Sequence, residues 1–129
     1  MNDRHFPKSW PEGCPPAGAE PAHGQVFRVC RTHPPSPEDF MSHAELGKKS
    51  SGSECQRHGL SVFRAYRDAR HVTQAFPKLG GLIYRADLQP AQGQTQPTPG
   101  RDRPSHATWW PYEDVNRAQP FTLADNPLE

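Results

Sequence analysis

The chain is poor in apolar residues and has no long apolar run. Hydrophobic residues make up 33% of its 129 residues and the mean hydropathy is −0.93, whereas roughly half the residues of a compact domain are apolar. No run approaches the ~20 apolar residues of a membrane span, and the N-terminus lacks the apolar segment of a signal peptide. We therefore expect no membrane interaction, and a small core flanked by irregular chain.

An excess of charge of one sign is also absent. The 15 basic and 14 acidic side chains are interleaved and give a formal net charge of +1. A protein that binds duplex nucleic acid needs a basic face, and this balance gives no strong signal for one. Cysteine is scarce as well, and three cysteines, an odd number, argue against the disulfide framework of a secreted domain. The sequence thus predicts a cytoplasmic protein with reduced thiols.

Proline, in contrast, is abundant, and its distribution predicts the domain boundaries. Eight of the 16 prolines fall in the first 37 residues, and four more lie between Leu88 and Ser105. Such stretches lack a hydrophobic period and resist packing into a core. The predicted organisation is a proline-rich tail at 1–24, a single domain at 25–117 with a long loop at 89–104, and an irregular C-terminal tail at 118–129.

Hydrophobic periodicity inside the predicted domain favours alternating strands and helices. QVFRVCR and LIYRADL alternate side chains as half-buried strands do, while Ala69, Val72 and Phe76 recur at helical spacing. Ser36 and Pro37 are typical of a helix start, so residues 36–49 are predicted to form another helix. The fold class is therefore α+β, with a small mixed or antiparallel sheet and two main helices. We expect one shared core, which contains Phe27, Val62, Phe76, either Ile83 or Leu82, and either Trp109 or Trp110.

The order of motifs resembles a group of short, uncharacterised bacterial proteins over about residues 27–115. The motifs that carry this resemblance are FR, PPSPEDF followed by a glycine, GLSVF, FPKLG and HATWW. The group brings no activity with it, so the resemblance supports the domain boundary rather than a function.

A more distant resemblance is to the ADP-ribosyltransferase fold, including the RNA 2′-phosphotransferases that share it. Those proteins place an Arg or His on an early strand, then a Gly-aromatic/Ser-type strand that leads into a helix, and hold NAD between two small sheets. The resemblance implies a split two-sheet core and an NAD- or nucleotide-binding protein acting on an unknown target. If it is an enzyme, it transfers a glycosyl group. The matching positions are Arg28, Gly59, Ser61 and Tyr66 for the cofactor, and His106 and Glu113 for catalysis.

The residue types suit those roles. Arg28 would hold a diphosphate bidentately, Ser61 would hydrogen-bond a ribose, and Tyr66 would offer a stacking face. The usual late-strand Glu is matched only by Glu113, which follows a proline rather than lying on an evident strand, so His106 would take its place. Each residue also has an ordinary structural explanation, such as an outward Arg or a Tyr in a helix–sheet seam. The discriminating observation is whether these side chains meet in one pocket.

Two further hypotheses compete with the nucleotide site. The pairs Cys30/His33 and Cys55/His58 both have Cys-x-x-His spacing, and a Cys₂His₂ set suits Zn²⁺. Because adjacent prolines stiffen the first pair, we expect zinc to be absent. The other hypothesis is a non-catalytic accessory protein whose proline-rich tail and exposed aromatics bind a protein partner.

Overall fold

The computed structural model describes residues 5–49 and 52–124. Within them the chain is a small α+β protein built on one antiparallel seven-stranded sheet with two helices, which confirms the predicted fold class at that level. The helices are α1 (Glu54–Arg57) and α2 (Tyr66–Ala75). The strands are β1 (Glu20–Pro21), β2 (Gly24–Cys30), β3 (Leu60–Phe63), β4 (Leu82–Leu88), β5 (Gln94–Pro97), β6 (His106–Trp110) and β7 (Thr122–Leu123), in the spatial order β1-β5-β6-β3-β2-β4-β7. None of the helices in the described ranges could span a membrane.

The core occupies both faces of the sheet. Val26, Val62 and Trp109 belong to a cluster on one face, whereas Phe27 packs with residues of α2 on the other. Alternate residues of a strand point to opposite faces, so Phe27 and Val62 cannot share a cluster as expected. Phe76 belongs to neither, because it follows the end of α2 and is 48% exposed. The expectation of one shared core was wrong.

The helix predicted over 36–49 is not formed. The chain makes one 3₁₀ turn, Pro37–Phe40, and becomes extended directly after it. The Asp39 carboxylate accepts hydrogen bonds from the backbone N–H groups of Arg31 (3.0 Å) and Ser36 (3.1 Å). This buried side chain holds the turn against the end of β2. The segment therefore forms a compact loop, although Ser36 and Pro37 are typical of a helix start.

The predicted loop at 89–104 contains a strand. β5 pairs with β6 on one side and with β1 on the other. The strand is entered through Gly93, at φ +127°, where an added Cβ would lie 2.1 Å from the Trp110 carbonyl oxygen. QTQP has little apolar alternation, so periodicity gave no sign of it.

The sheet extends beyond both ends of the predicted 25–117 region. β1 forms one edge and β7 the other, and Trp10 and Phe121 are buried. The N-terminal segment is also fastened covalently, by a disulfide between Cys14 and Cys55. This bond contradicts the expectation of reduced thiols: of the three cysteines only Cys30, buried in the sheet, is free.

Candidate functional site

The sheet opens between the neighbouring strands β2 and β3. β2 and β3 pair at a single position, Phe27 opposite Phe63, whereas β2 and β4 stay paired over seven positions. Towards the end of β2 the strands therefore separate, and backbone groups of β3 lose the ladder partners that a continuous sheet would give them.

The Arg28 side chain fills this opening. Its Nη1 donates to the Ser61 carbonyl oxygen (2.7 Å), and its Nε donates to the Asp39 carbonyl oxygen (2.9 Å). The guanidinium also lies over the Phe40 ring, 5.5 Å from its centroid. Burial is the main cause that lowers the pKa of Arg28, yet a guanidinium remains charged. A fixed positive charge thus stands where the strands part.

Ser61 and His106 are joined by a hydrogen bond on the α2 side of the sheet. His106 begins β6 and lies opposite Phe63, and its Nε2 is 2.9 Å from the Ser61 Oγ. The other ring nitrogen, Nδ1, is 2.9 Å from both the carbonyl oxygen and the Oγ1 of Thr98. The Phe63 ring meets the imidazole edge-on with centroids 5.3 Å apart. The imidazole is therefore positioned by contacts at both ring nitrogens and by the Phe63 ring.

Burial lowers the pKa of His106 below that of an ordinary histidine. The hydrogen bond to Thr98 opposes this effect, and the nearby Arg103 adds to it. The ring is therefore neutral at pH 7, which leaves one nitrogen free to accept a proton.

Arg28, Ser61 and His106 all line one cavity of about 760 Å³. Besides Arg28, three basic and two acidic side chains line the cavity, so basic groups are in excess. One of the acidic residues, Asp39, already accepts hydrogen bonds from backbone N–H groups. The basic residues are Arg31, Lys48 and Arg103, and the apolar wall includes Phe63, Val72, Phe76 and Leu79. The lining of the cavity therefore combines an excess of positively charged side chains with an apolar surface.

Two carboxylates, those of Glu45 and the buried Asp68, hold the loops that shape the cavity. Arg117 donates to both carboxylate oxygens of Glu45, at 2.7 and 2.9 Å, and anchors the loop after the 3₁₀ turn. Burial raises the pKa of Glu45, but hydrogen bonds from Arg117 and Ser42 outweigh it, so the net pKa is lowered. Asp68, on α2, accepts from the Ser105 backbone N–H at 2.9 Å and holds the chain that enters β6.

Three residues assigned by the resemblance lie outside the cavity lining. Tyr66 packs edge-on against Phe27, with ring centroids 5.5 Å apart, in the seam between α2 and the sheet. Gly59 lies against β6, where an added Cβ would be 2.3 Å from the Thr108 Cγ2, so its role is close packing. Glu113 is exposed and donates its backbone N–H to the His5 carbonyl oxygen.

The rival zinc set is not assembled. Cys55 is bonded to Cys14 and cannot act as a thiolate in this state, while His33 contacts the Tyr84 hydroxyl. His58 contacts the Glu54 carbonyl oxygen through Nδ1 at 2.9 Å. Within residues 5–49 and 52–124 no group of three or more His, Cys, Asp or Glu side chains is arranged to hold a metal ion.

Sequence reasoning missed Thr98, Arg103 and the exposed face of Phe76. Thr98 lies in the proline-rich segment between β5 and β6 and contacts His106 through both its backbone carbonyl and its hydroxyl, an approach that no local sequence pattern indicates. Arg103 follows in the same segment and lies over the Phe76 ring, 5.5 Å from its centroid. Because Phe76 follows Ala69 and Val72 at helical spacing, the sequence predicted that it is buried, whereas it lies exposed on the cavity wall.

No family model matches the chain, and no curated protein and no solved structure matches it either.

Proposed function

We propose that the cavity binds an anionic nucleotide, with NAD as the representative ligand, and that the protein is an ADP-ribosyltransferase-like transferase. The observation that carries this proposal is the convergence of Arg28, Ser61 and His106 on one cavity. These residues lie on three neighbouring strands, β2, β3 and β6, and are the positions at which the resemblance puts the basic residue, the serine and the substitute for the late glutamate.

Arg28 supports the proposal through its unused donors. Its Nε and Nη1 are engaged, but within the described ranges the Nη2 group has no hydrogen-bond partner. It can therefore donate to a phosphate oxygen, with Arg31 and Arg103 adding positive charge around the cavity. A diphosphate is the ligand group that best matches a guanidinium surrounded by further cations.

The apolar wall supports a ligand with a planar ring. Phe76 and Leu79 are 48% and 47% exposed, unusually high values for large apolar side chains, and both face the cavity. An adenine or nicotinamide ring stacked on Phe76 would cover apolar surface that is now in water. In this arrangement Phe76 takes the stacking role that the resemblance assigned to Tyr66.

Among the catalytic candidates the proposal retains His106 and leaves out Glu113. His106 would orient or deprotonate the attacking hydroxyl, as expected of a site that does not depend on a glutamate. The cytoplasmic location and the bacterial origin remain parts of the same hypothesis, although a stable disulfide is typical of oxidising compartments.

The non-catalytic alternative rested on the proline-rich tail. The aromatic residues of that tail are packed on the domain: Trp10 is buried, and Phe6 stacks on Tyr112 with centroids 4.7 Å apart. They are therefore engaged with the chain itself. Among residues 5–49 and 52–124, the exposed large apolar side chains that a protein partner could cover are Phe76 and Leu79.

Calorimetric titration of NAD into the wild type, Arg28→Ala and Arg70→Ala tests the proposal. Arg70 is an exposed arginine on α2 outside the cavity lining and serves as the matched control. We expect wild type and Arg70→Ala to bind alike, and Arg28→Ala to bind at least ~10-fold more weakly because a charged hydrogen bond contributes about 1.5–3 kcal/mol. Absence of binding at millimolar NAD, or equal binding by all three proteins, would refute it.

A further inference from the structure

The hydrogen bonds around His106 determine which ring nitrogen carries the proton. Nδ1 lies 2.9 Å from both the carbonyl oxygen and the Oγ1 of Thr98. The carbonyl oxygen can only accept, and the Thr98 hydroxyl can accept from Nδ1 while it donates to the Thr108 Oγ1, 2.8 Å away, so a hydrogen on Nδ1 satisfies both contacts. In the neutral ring Nε2 is then the acceptor, and the Ser61 hydroxyl, 2.9 Å away, is its donor. The tautomer that can remove a proton from Ser61 is therefore the one that the fold stabilises.

The Ser61 hydroxyl is also accessible. Ser61 is exposed and lines the cavity together with His106, so a ligand in the cavity can reach its Oγ. An exposed hydroxyl, a base within hydrogen-bond distance and a group that orients the base are the three parts of an activated nucleophile. Here the orienting group is a backbone carbonyl.

We propose that Ser61 is a nucleophile activated by His106, and that it cleaves phosphoesters or phosphoanhydrides through a covalent intermediate. The Ser61 Oγ attacks phosphorus while its proton moves to the His106 Nε2. The bond from phosphorus to the leaving oxygen breaks, and that oxygen takes the proton from His106. A water molecule, deprotonated in turn by His106, attacks the phosphoserine, and the Oγ–P bond breaks as the Oγ takes that proton from the His106 Nε2, which restores the serine hydroxyl and the neutral imidazole.

The cavity favours phosphorus over an acyl carbon as the electrophile. The charged groups that line the cavity with Ser61 are predominantly basic, among them Arg28 and Arg103. Guanidinium groups stabilise the charge that develops on phosphoryl oxygens during displacement. This activity goes beyond nucleotide binding and depends only on the Ser61–His106 pair and the surrounding cations.

A fluorophosphonate probe tests the nucleophile directly, because attack on its phosphorus expels fluoride and leaves a stable adduct. The site of labelling is read by mass spectrometry, and its rate is compared among wild type, His106→Ala, His106→Asn and Ser9→Ala. Ser9 is an exposed serine outside the cavity lining and is the matched control. We expect one adduct, on Ser61, formed at the same rate in Ser9→Ala and on the order of 100-fold more slowly in the His106 variants.

Turnover is tested with bis(4-nitrophenyl) phosphate, for which we expect nitrophenol release that Ser61→Ala abolishes. An adduct on Ser61 that forms only with His106 present supports the inference, even if NAD does not bind and the proposed function fails. No adduct, adducts spread over exposed serines, or labelling unchanged in a folded His106 variant overturns it, whether or not NAD binds. Thermal unfolding of both His106 variants identifies the one that is folded.

Discussion

Reduction of the Cys14–Cys55 disulfide should destabilise the protein strongly. The bond joins residues 41 positions apart. In the chain-entropy description, closing a loop of that length removes about 13 cal/mol/K from the unfolded state, or about 4 kcal/mol at 25 °C. A chain of this size loses roughly 3–5 °C of melting temperature per kcal/mol, so we expect a decrease of about 10–20 °C.

The assay combines thermal unfolding with thiol counting. Protein unfolded without reductant should show one free thiol, that of Cys30, and three after reduction. A Cys14→Ser/Cys55→Ser variant should melt like the reduced wild type and should not respond to reductant, which controls for other effects of the reagent. Three free thiols without reductant would show that the bond is absent. A melting temperature that stays constant while the thiol count rises from one to three would refute the entropy argument.

Three further predictions concern the sheet and His106. Gly59→Ala should destabilise the fold by about 1–3 kcal/mol in chemical denaturation, because its Cβ would overlap Thr108; an unchanged midpoint would contradict this. The backbone amides of Gln94, Thr95 and Gln96 should be protected from hydrogen exchange, since their strand has a neighbour on each side, and exchange as fast as in an unfolded peptide would speak against the strand. Burial lowers the folded-state pKa of His106, so its contribution to stability is present above about pH 6.5 and is lost as the pH falls through the folded pKa. A His106 imidazole resonance titrating at or above that value would contradict the last prediction.

The sequence predicts best those elements that are held by hydrophobic alternation. LIYRADL is a strand from Leu82 to Leu88, as its pattern indicates, and GQVFRVC is its partner across seven paired positions. Arg28 and Ser61 could be placed on strands for the same reason. Arg28 and Ser61 meet because β2 and β3 separate at this point. That separation depends on pairing between residues far apart in the chain, so no local sequence pattern indicates it.

Elements held by polar contacts escaped prediction. Asp39 lies in the segment 36–49 that was predicted to be helical, yet its carboxylate points inward and accepts hydrogen bonds from backbone N–H groups. β5 is polar and is defined by its neighbours rather than by its own periodicity. The disulfide joins two of three cysteines whose spacing gives no indication of pairing, because the approach of Cys14 to Cys55 follows from the path of the whole N-terminal segment.

The position of the two shortest strands affects how molecules of this protein meet one another. β1 and β7 have two residues each and form the opposite edges of the sheet. An exposed edge recruits a strand from another molecule through its row of unpaired backbone groups, and a two-residue edge presents very few of them. In β1 one of the two residues is Pro21, which has no N–H to offer. Where β1 and β7 cover the sheet, little backbone is left for growth from one molecule into the next, a route by which antiparallel sheets form aggregates.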